Sequence, residues 1–103
     1  MNNMRQMLAK AQKLQAQMTE KQNELAKEEI TGTAGSEAIK VTMTLDGNVK
    51  AVSIDKSVID PEDKEMLEDL VLAALNDAKQ KADAKYNAEM QKVTGGFNIP
   101  GLF

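Results

Sequence analysis

The sequence predicts an α+β fold: a long N-terminal helix, a three-stranded antiparallel meander and a long C-terminal helix. Two observations carry this. Apolar residues recur every three or four positions over residues 3–28, and again from about residue 60 to residue 93. Between these stretches, residues 29–55 switch to alternation and turn chemistry. The expected body has two layers, with helical arms projecting from it.

Each element has its own local cause. In the first helix Met4, Met7, Ala11, Leu14, Met18 and Leu25 form a heptad-like seam that lapses at Lys21 and Glu28. Gln, Lys, Glu and Ala fill the positions between, all good helix formers, and neither Gly nor Pro interrupts them. A helix over 3–28 would be roughly 39 Å long, more than one small body can cover. Glu29–Ala34 supplies a first strand. In Ile39–Leu45 the odd positions are apolar and the even ones polar, the pattern of a strand with one wet face. Asp46-Gly47-Asn48 is a hairpin turn, and Val49–Asp55 is the third strand. There Val52 and Ile54 point inward, Lys50 and Ser53 match one face poorly, and a bulge near Ala51 reconciles the phase. Asp60 is expected to cap the second helix, with Pro61 at its first position and acids in its first turn. Its large apolar residues lie in the first half, and the second half narrows to Ala78 and Ala82 with Tyr86 and Met90. Gly95-Gly96 ends it. The tail, about 95–103, is apolar and expected to be flexible.

Composition excludes more than it proves. The chain has 103 residues, 13 Lys and Arg, 16 Asp and Glu, no Cys and no His. That length suits one domain, residues 1–103. Without Cys there is no disulfide, thiolate ligand or cysteine nucleophile. Without His the usual acid/base at neutral pH and the commonest metal ligand are missing. No nucleophile–base spacing is recognisable, so an enzyme is not expected, nor a cofactor, a metal or a small-molecule substrate. No apolar run approaches a membrane span, and the N-terminus lacks a signal peptide's apolar stretch, so a cytoplasmic protein is expected. Val, Ile, Leu and Phe number 22, and there is no Trp. So thin a supply favours a homodimer sharing one core.

Net charge is −3, but it is unevenly spread. Residues 1–19 contain Arg5, Lys10 and Lys13 and no acid. Residues 37–69 contain nine acids against four lysines. Residues 70–103 contain Lys79, Lys81, Lys85 and Lys92 against three acids. If the helices run side by side, residues 1–19 and 78–93 are their far ends. The expectation is an acidic body with basic tips. Arg5, Lys10, Lys13, Lys81, Lys85 and Lys92, with Lys79, are the candidate phosphate contacts. Solvated helix faces would show the same lysines.

Other groupings have plainer readings. Glu62, Asp63, Glu65, Glu68 and Asp69 complement the dipole of a helix start. Asp46-Gly47-Asn48 lacks the Glu that closes a twelve-residue calcium loop. The Met-rich seam reads as core or dimer packing, with an adaptable partner surface as the alternative.

Taken together, several stretches resemble the YbaB/EbfC family of bacterial nucleoid-associated proteins. They are the Met/Gln/Lys-rich opening helix, Ile30-Thr31-Gly32 with Ala34-Gly35, Val41-Thr42-Met43, and Val52-Ser53-Ile54-Asp55. The most specific is Asp63-Lys64-Glu65-Met66-Leu67-Glu68-Asp69-Leu70-Val71, followed by Ala73-Ala74 and Asn76-Asp77-Ala78. Gly95-Gly96 and the terminal Pro100-Gly101-Leu102-Phe103 also fit. The resemblance implies a homodimer with tweezer-like helical arms that binds double-stranded DNA with limited sequence preference. It also implies a role in nucleoid organisation and gene regulation. The competing expectation is a dimeric adaptor that binds a protein through the Met-rich seam or the apolar tail.

Overall fold

The computed structural model describes residues 2–95, and five regular elements follow one another in it. They are α1 (Asn2–Leu25), β1 (Glu29–Ala34), β2 (Ile39–Thr44), β3 (Val49–Ile54) and α2 (Lys64–Thr94). A 3-10 turn at Lys56–Val58 lies between β3 and α2. The tail expected to be flexible lies outside the described residues beyond Gly95.

The sheet is an antiparallel meander in the order β1-β2-β3. Its register puts Gly32 opposite Val41 and Val41 opposite Val52. The Asp46-Gly47-Asn48 turn closes β2 onto β3, with Gly47 at φ 96°, a backbone state that glycine adopts without steric cost. Thr44 N–H donates to Asn48 O at 2.8 Å, and Asn48 N–H donates back to the Thr44 hydroxyl at 3.1 Å. These bonds explain why Thr44 is buried although polar. Thr42 pairs with Ala51 and Met43 with Val49, which leaves Lys50 as the extra residue of a bulge beside Ala51, where the strand's phase required one.

The core lies between the sheet and α2. Ile39, Val41, Met43 and Leu45 project from β2 and its end toward Ala74, Ala78 and Ala82 of α2, and Leu25 closes one end. Small residues on α2 allow a close approach to the strands. Asp63, not Asp60, caps α2, its carboxylate accepting from Met66 N–H at 3.2 Å. Asp60 caps a separate turn instead: its carboxylate accepts from Glu62 N–H and its carbonyl from Asp63 N–H, both at 2.9 Å. Pro61 sits inside that turn, so the helix begins three residues later than its Asp-Pro signal implies.

Two further expectations need correction. Val52 and Ile54 do lie on the helix side of the sheet, opposite the buried Val41 and Ile39. They are not covered, because α2 packs over β1 and β2, and Val52 remains 50% exposed. The α1 seam is buried only at Leu14 and Leu25 and half-buried at Met18, whereas Met4 and Met7 are 78% and 65% exposed.

Candidate nucleic-acid interface

The position of the basic residues follows from the helix register. α1 and α2 pack against one another and run antiparallel, with Lys21 paired to Glu89 at 3.1 Å and Glu28 paired to Lys85. Equal rise per residue then places Gly95, the end of α2, beside Gln15 of α1. The first half of α1 therefore extends ~18 Å beyond α2. The molecule is correspondingly long, 73 × 22 × 16 Å.

Arg5, Lys10 and Lys13 lie on that projecting half, and all three are exposed. No acid occurs before Glu20, and among the described residues none of the three is ion-paired. Farther along α1, Gln12, Gln15, Ala16, Thr19, Glu20 and Asn23 line an open depression, where neutral hydrogen-bonding groups stand beside the first acid of the helix.

The lysines of α2 are placed differently. Ala74, Ala78 and Ala82 are buried over the sheet, so Lys79 and Lys81 sit beside the body and not at a far end. Lys79 pairs with Asp83 at 2.8 Å. Lys81 pairs with Asp77 at 2.9 Å and donates to Thr31 O at 3.3 Å. Lys85 pairs with Glu28 where α1 runs into β1. Lys92 alone lies toward the tip, 3.1 Å from Glu89. The seven residues nominated from charge thus divide: one acid-free group of three at the tip, and four neutralised along α2.

Two carboxylates organise this arrangement, and counting net charge per segment passes over both. Asp77 accepts from Thr33 N–H at 2.9 Å and from Lys81, which joins α2 to β1. The Thr33 N–H first, and Lys81 second, hold its carboxyl below the usual range. Glu89 joins α2 to α1 through Lys21 and also accepts from Lys92 on its own helix. The hydrogen bonds from Lys21 first and Lys92 second lower its pKa too, while Glu89 raises that of Lys21. The acids at i±3 and i±4 from Lys79, Lys81 and Lys92 are the sequence signal for this pairing.

The acids at the start of α2 occupy the opposite end of the long axis. Asp60, Glu62, Asp63, Glu65, Glu68 and Asp69 are all exposed there. Among the described residues no group of three or more carboxylates is arranged to hold a metal ion. No helix there is long and apolar enough to cross a membrane.

The comparison that decides the lineage spans almost the whole chain. The sequence model of the YbaB/EbfC DNA-binding family matches residues 1–97. The chain belongs to that family. Individual relatives are similar over most of their length. A nucleoid-associated protein of Clostridium kluyveri is 48% identical over 98% of this chain and 89% of its own. One from Paramagnetospirillum magneticum is 46% identical over all of this chain and 96% of its own. The fold itself matches the crystal structure of an uncharacterised Helicobacter pylori protein with a TM-score of 0.71 at 19% identity. That match covers 81% of this chain and 87% of the other.

Proposed function

We propose that this YbaB/EbfC protein is a nucleoid-associated protein that binds double-stranded DNA as a homodimer, through the basic tips of its helical arms. The observation that carries the reading is the acid-free tip of α1, where Arg5, Lys10 and Lys13 stand exposed beyond the end of α2. Phosphates release counterions when such side chains approach, and that gain needs no particular base sequence. Phosphate contacts position a protein without reading sequence, so specificity is weak and follows DNA shape. Lys92 is the one α2 lysine placed to join the tip. The setting is the bacterial nucleoid, and the roles are nucleoid organisation and gene regulation.

The dimer rests on β3. Val49, Val52 and Ile54 form an exposed apolar row on an edge strand. An edge of this kind is unstable alone and prone to pairing. A second copy brings the same row, and a two-fold contact covers both. The sheet lies far from the α1 tip along the long axis, so a dimer joined there keeps both tips free for DNA.

The test is fluorescence anisotropy of a labelled duplex of about 30 base pairs, titrated at roughly 50 and 200 mM salt. The reading expects binding whose log K falls steeply with log salt. Failure to bind at tens of micromolar in low salt overturns it.

A further inference from the structure

The projecting half of α1 is a single bare helix. Every residue from Asn3 to Lys13 is exposed, and Leu14 is the first to be buried. That segment is ~16 Å long and ~10–12 Å across with its side chains. The major groove of B-form DNA is ~12 Å wide and ~8.5 Å deep, whereas the minor groove is only ~6 Å wide. A lone helix therefore fits the first and not the second. Where α2 and the sheet accompany it, the molecule reaches 22 × 16 Å in cross-section and fits neither. Entry is possible only for the length that α2 leaves bare, from Asn3 to Lys13.

The side chains of this segment divide by arc. At ~100° per residue, Arg5 and Lys10 stand ~140° apart around the helix. Gln6, Ala9 and Lys13 fill the arc between them, and Met4, Met7, Leu8 and Ala11 occupy the opposite side. A helix lying in a groove has a phosphate strand on either side and base edges ahead of it. Arg5 and Lys10 are placed for the two strands, and the small side chain of Ala9 lets the helix backbone approach the floor. Glu20, the first acid of α1, shares this arc. It lies ~10 Å past Lys13, beside α2, where entry has already stopped.

We propose that the Asn3–Lys13 segment of α1 enters the major groove, with Arg5 and Lys10 on phosphates of opposite strands and Gln6, Ala9 and Lys13 facing the base edges. The inference rests on the reading that the α1 tip binds double-stranded DNA, and adds to it the groove and the face. Gln6 matches the donor and acceptor of adenine, and Lys13 the two acceptors of guanine. Two such groups bias the choice of site without fixing a sequence, so specificity stays weak.

Glucosylated DNA tests the groove. In a duplex whose cytosines are all replaced by glucosylated 5-hydroxymethylcytosine, the sugars fill the major groove and leave the phosphate charge unchanged. Anisotropy compares the full-length protein on this duplex and on the unmodified duplex of the same sequence, both at low salt. The unmodified duplex should bind, and the glucosylated one should bind more weakly by roughly tenfold or more, the scale of one lost base-edge contact. Equal affinity overturns the inference and leaves the DNA reading standing. Failure on both duplexes overturns the DNA reading, and the inference with it. Two charge-neutral variants test the face on the unmodified duplex. Ala9→Phe thickens the side turned to the floor and should weaken binding severalfold, whereas Met7→Phe, on the opposite side, should not. Both residues are exposed, so the fold should be retained, which far-ultraviolet circular dichroism checks. An Ala9→Phe protein that binds no more weakly than Met7→Phe overturns the stated orientation.

Discussion

Gly32 of β1 and Ala78 of α2 meet backbone to backbone. A Cβ on Gly32 would stand 2.6 Å from Ala74 O and closer still to Ala78 N. The neighbours are main-chain atoms of a helix fixed by its buried alanines, so they cannot swing aside. Gly32→Ala must push α2 off the sheet and loosen the Val41 and Ala78 packing beneath it. The expected cost is about 2 kcal/mol or more, a fall of roughly 8–16 °C in Tm for a chain of this size. Thermal unfolding followed by circular dichroism measures it. A Gly32→Ala protein as stable as the parent would show that the helix and sheet are not held at this distance.

Asp77 makes stability depend on acid. The folded pKa is depressed below the ordinary 3.8, so its contribution is complete above that value and is lost as pH falls through the folded one. Glu89, depressed from 4.5, acts in the same direction. Tm should therefore decline below about pH 5. Asp77→Asn retains an acceptor for Thr33 N–H but no charge for Lys81. Its Tm deficit should be largest near neutral pH and shrink as the parent's carboxylate is protonated. A deficit of constant size from neutrality down through the carboxylate range would assign the effect to shape alone. Lys21 has the opposite sign: its pKa is raised above 10.5, and its contribution is lost only as pH rises through the raised value.

The strands, the hairpin at Gly47 and the bulge beside Ala51 were legible because each depends on neighbours in sequence. Alternation selects a face, and Asp-Gly selects a turn. What escaped the sequence depends on where elements stop against one another. Alternation puts Val52 on the helix side of the sheet, opposite Val41. Nothing local says that α2 is too narrow to reach it. Asp60-Pro61 is a strong helix-start signal, and Asp63 supplies a second one three residues on. The choice between them is made by a turn whose bonds involve both. The basic tip was half legible. The acid-free run containing Arg5, Lys10 and Lys13 is plain in the sequence. The placement of Lys79 and Lys81 beside the sheet follows from Ala74, Ala78 and Ala82 being the covered face, which periodicity alone does not locate along the arm.

Val52 provides the test of self-association. Half of its surface is open on the edge strand, so a charge there costs the folded chain little but cannot be buried against a second copy without a partner. Analytical ultracentrifugation should find a dimer for the parent and a monomer for Val52→Glu, with unchanged far-ultraviolet circular dichroism. A parent that sediments as a monomer at micromolar concentration would refute the dimer. A dimeric Val52→Glu would move the interface away from β3.

The division of the basic residues yields the sharpest expectation for DNA. Ion pairs between exposed groups are worth only about 0–1 kcal/mol, so pairing alone does not stop Lys79 or Lys81 from engaging a phosphate. Position does: both lie beside the sheet, more than half the length of α2 from the start of α1. Replacing Arg5, Lys10 and Lys13 together with Ala should weaken duplex binding strongly at low salt. It should also flatten the dependence of log K on log salt by about 0.9 for each side chain that had reached a phosphate. Lys79→Gln with Lys81→Gln should leave both quantities nearly unchanged. Lys92→Gln should fall between them, because Lys92 stands toward the tip but shares Glu89 with Lys21. Anisotropy titrations of the three variants at two salt concentrations separate these outcomes. If the Lys79/Lys81 variant loses binding while the α1 variant retains it, the duplex lies along the body and the projecting tip has another purpose.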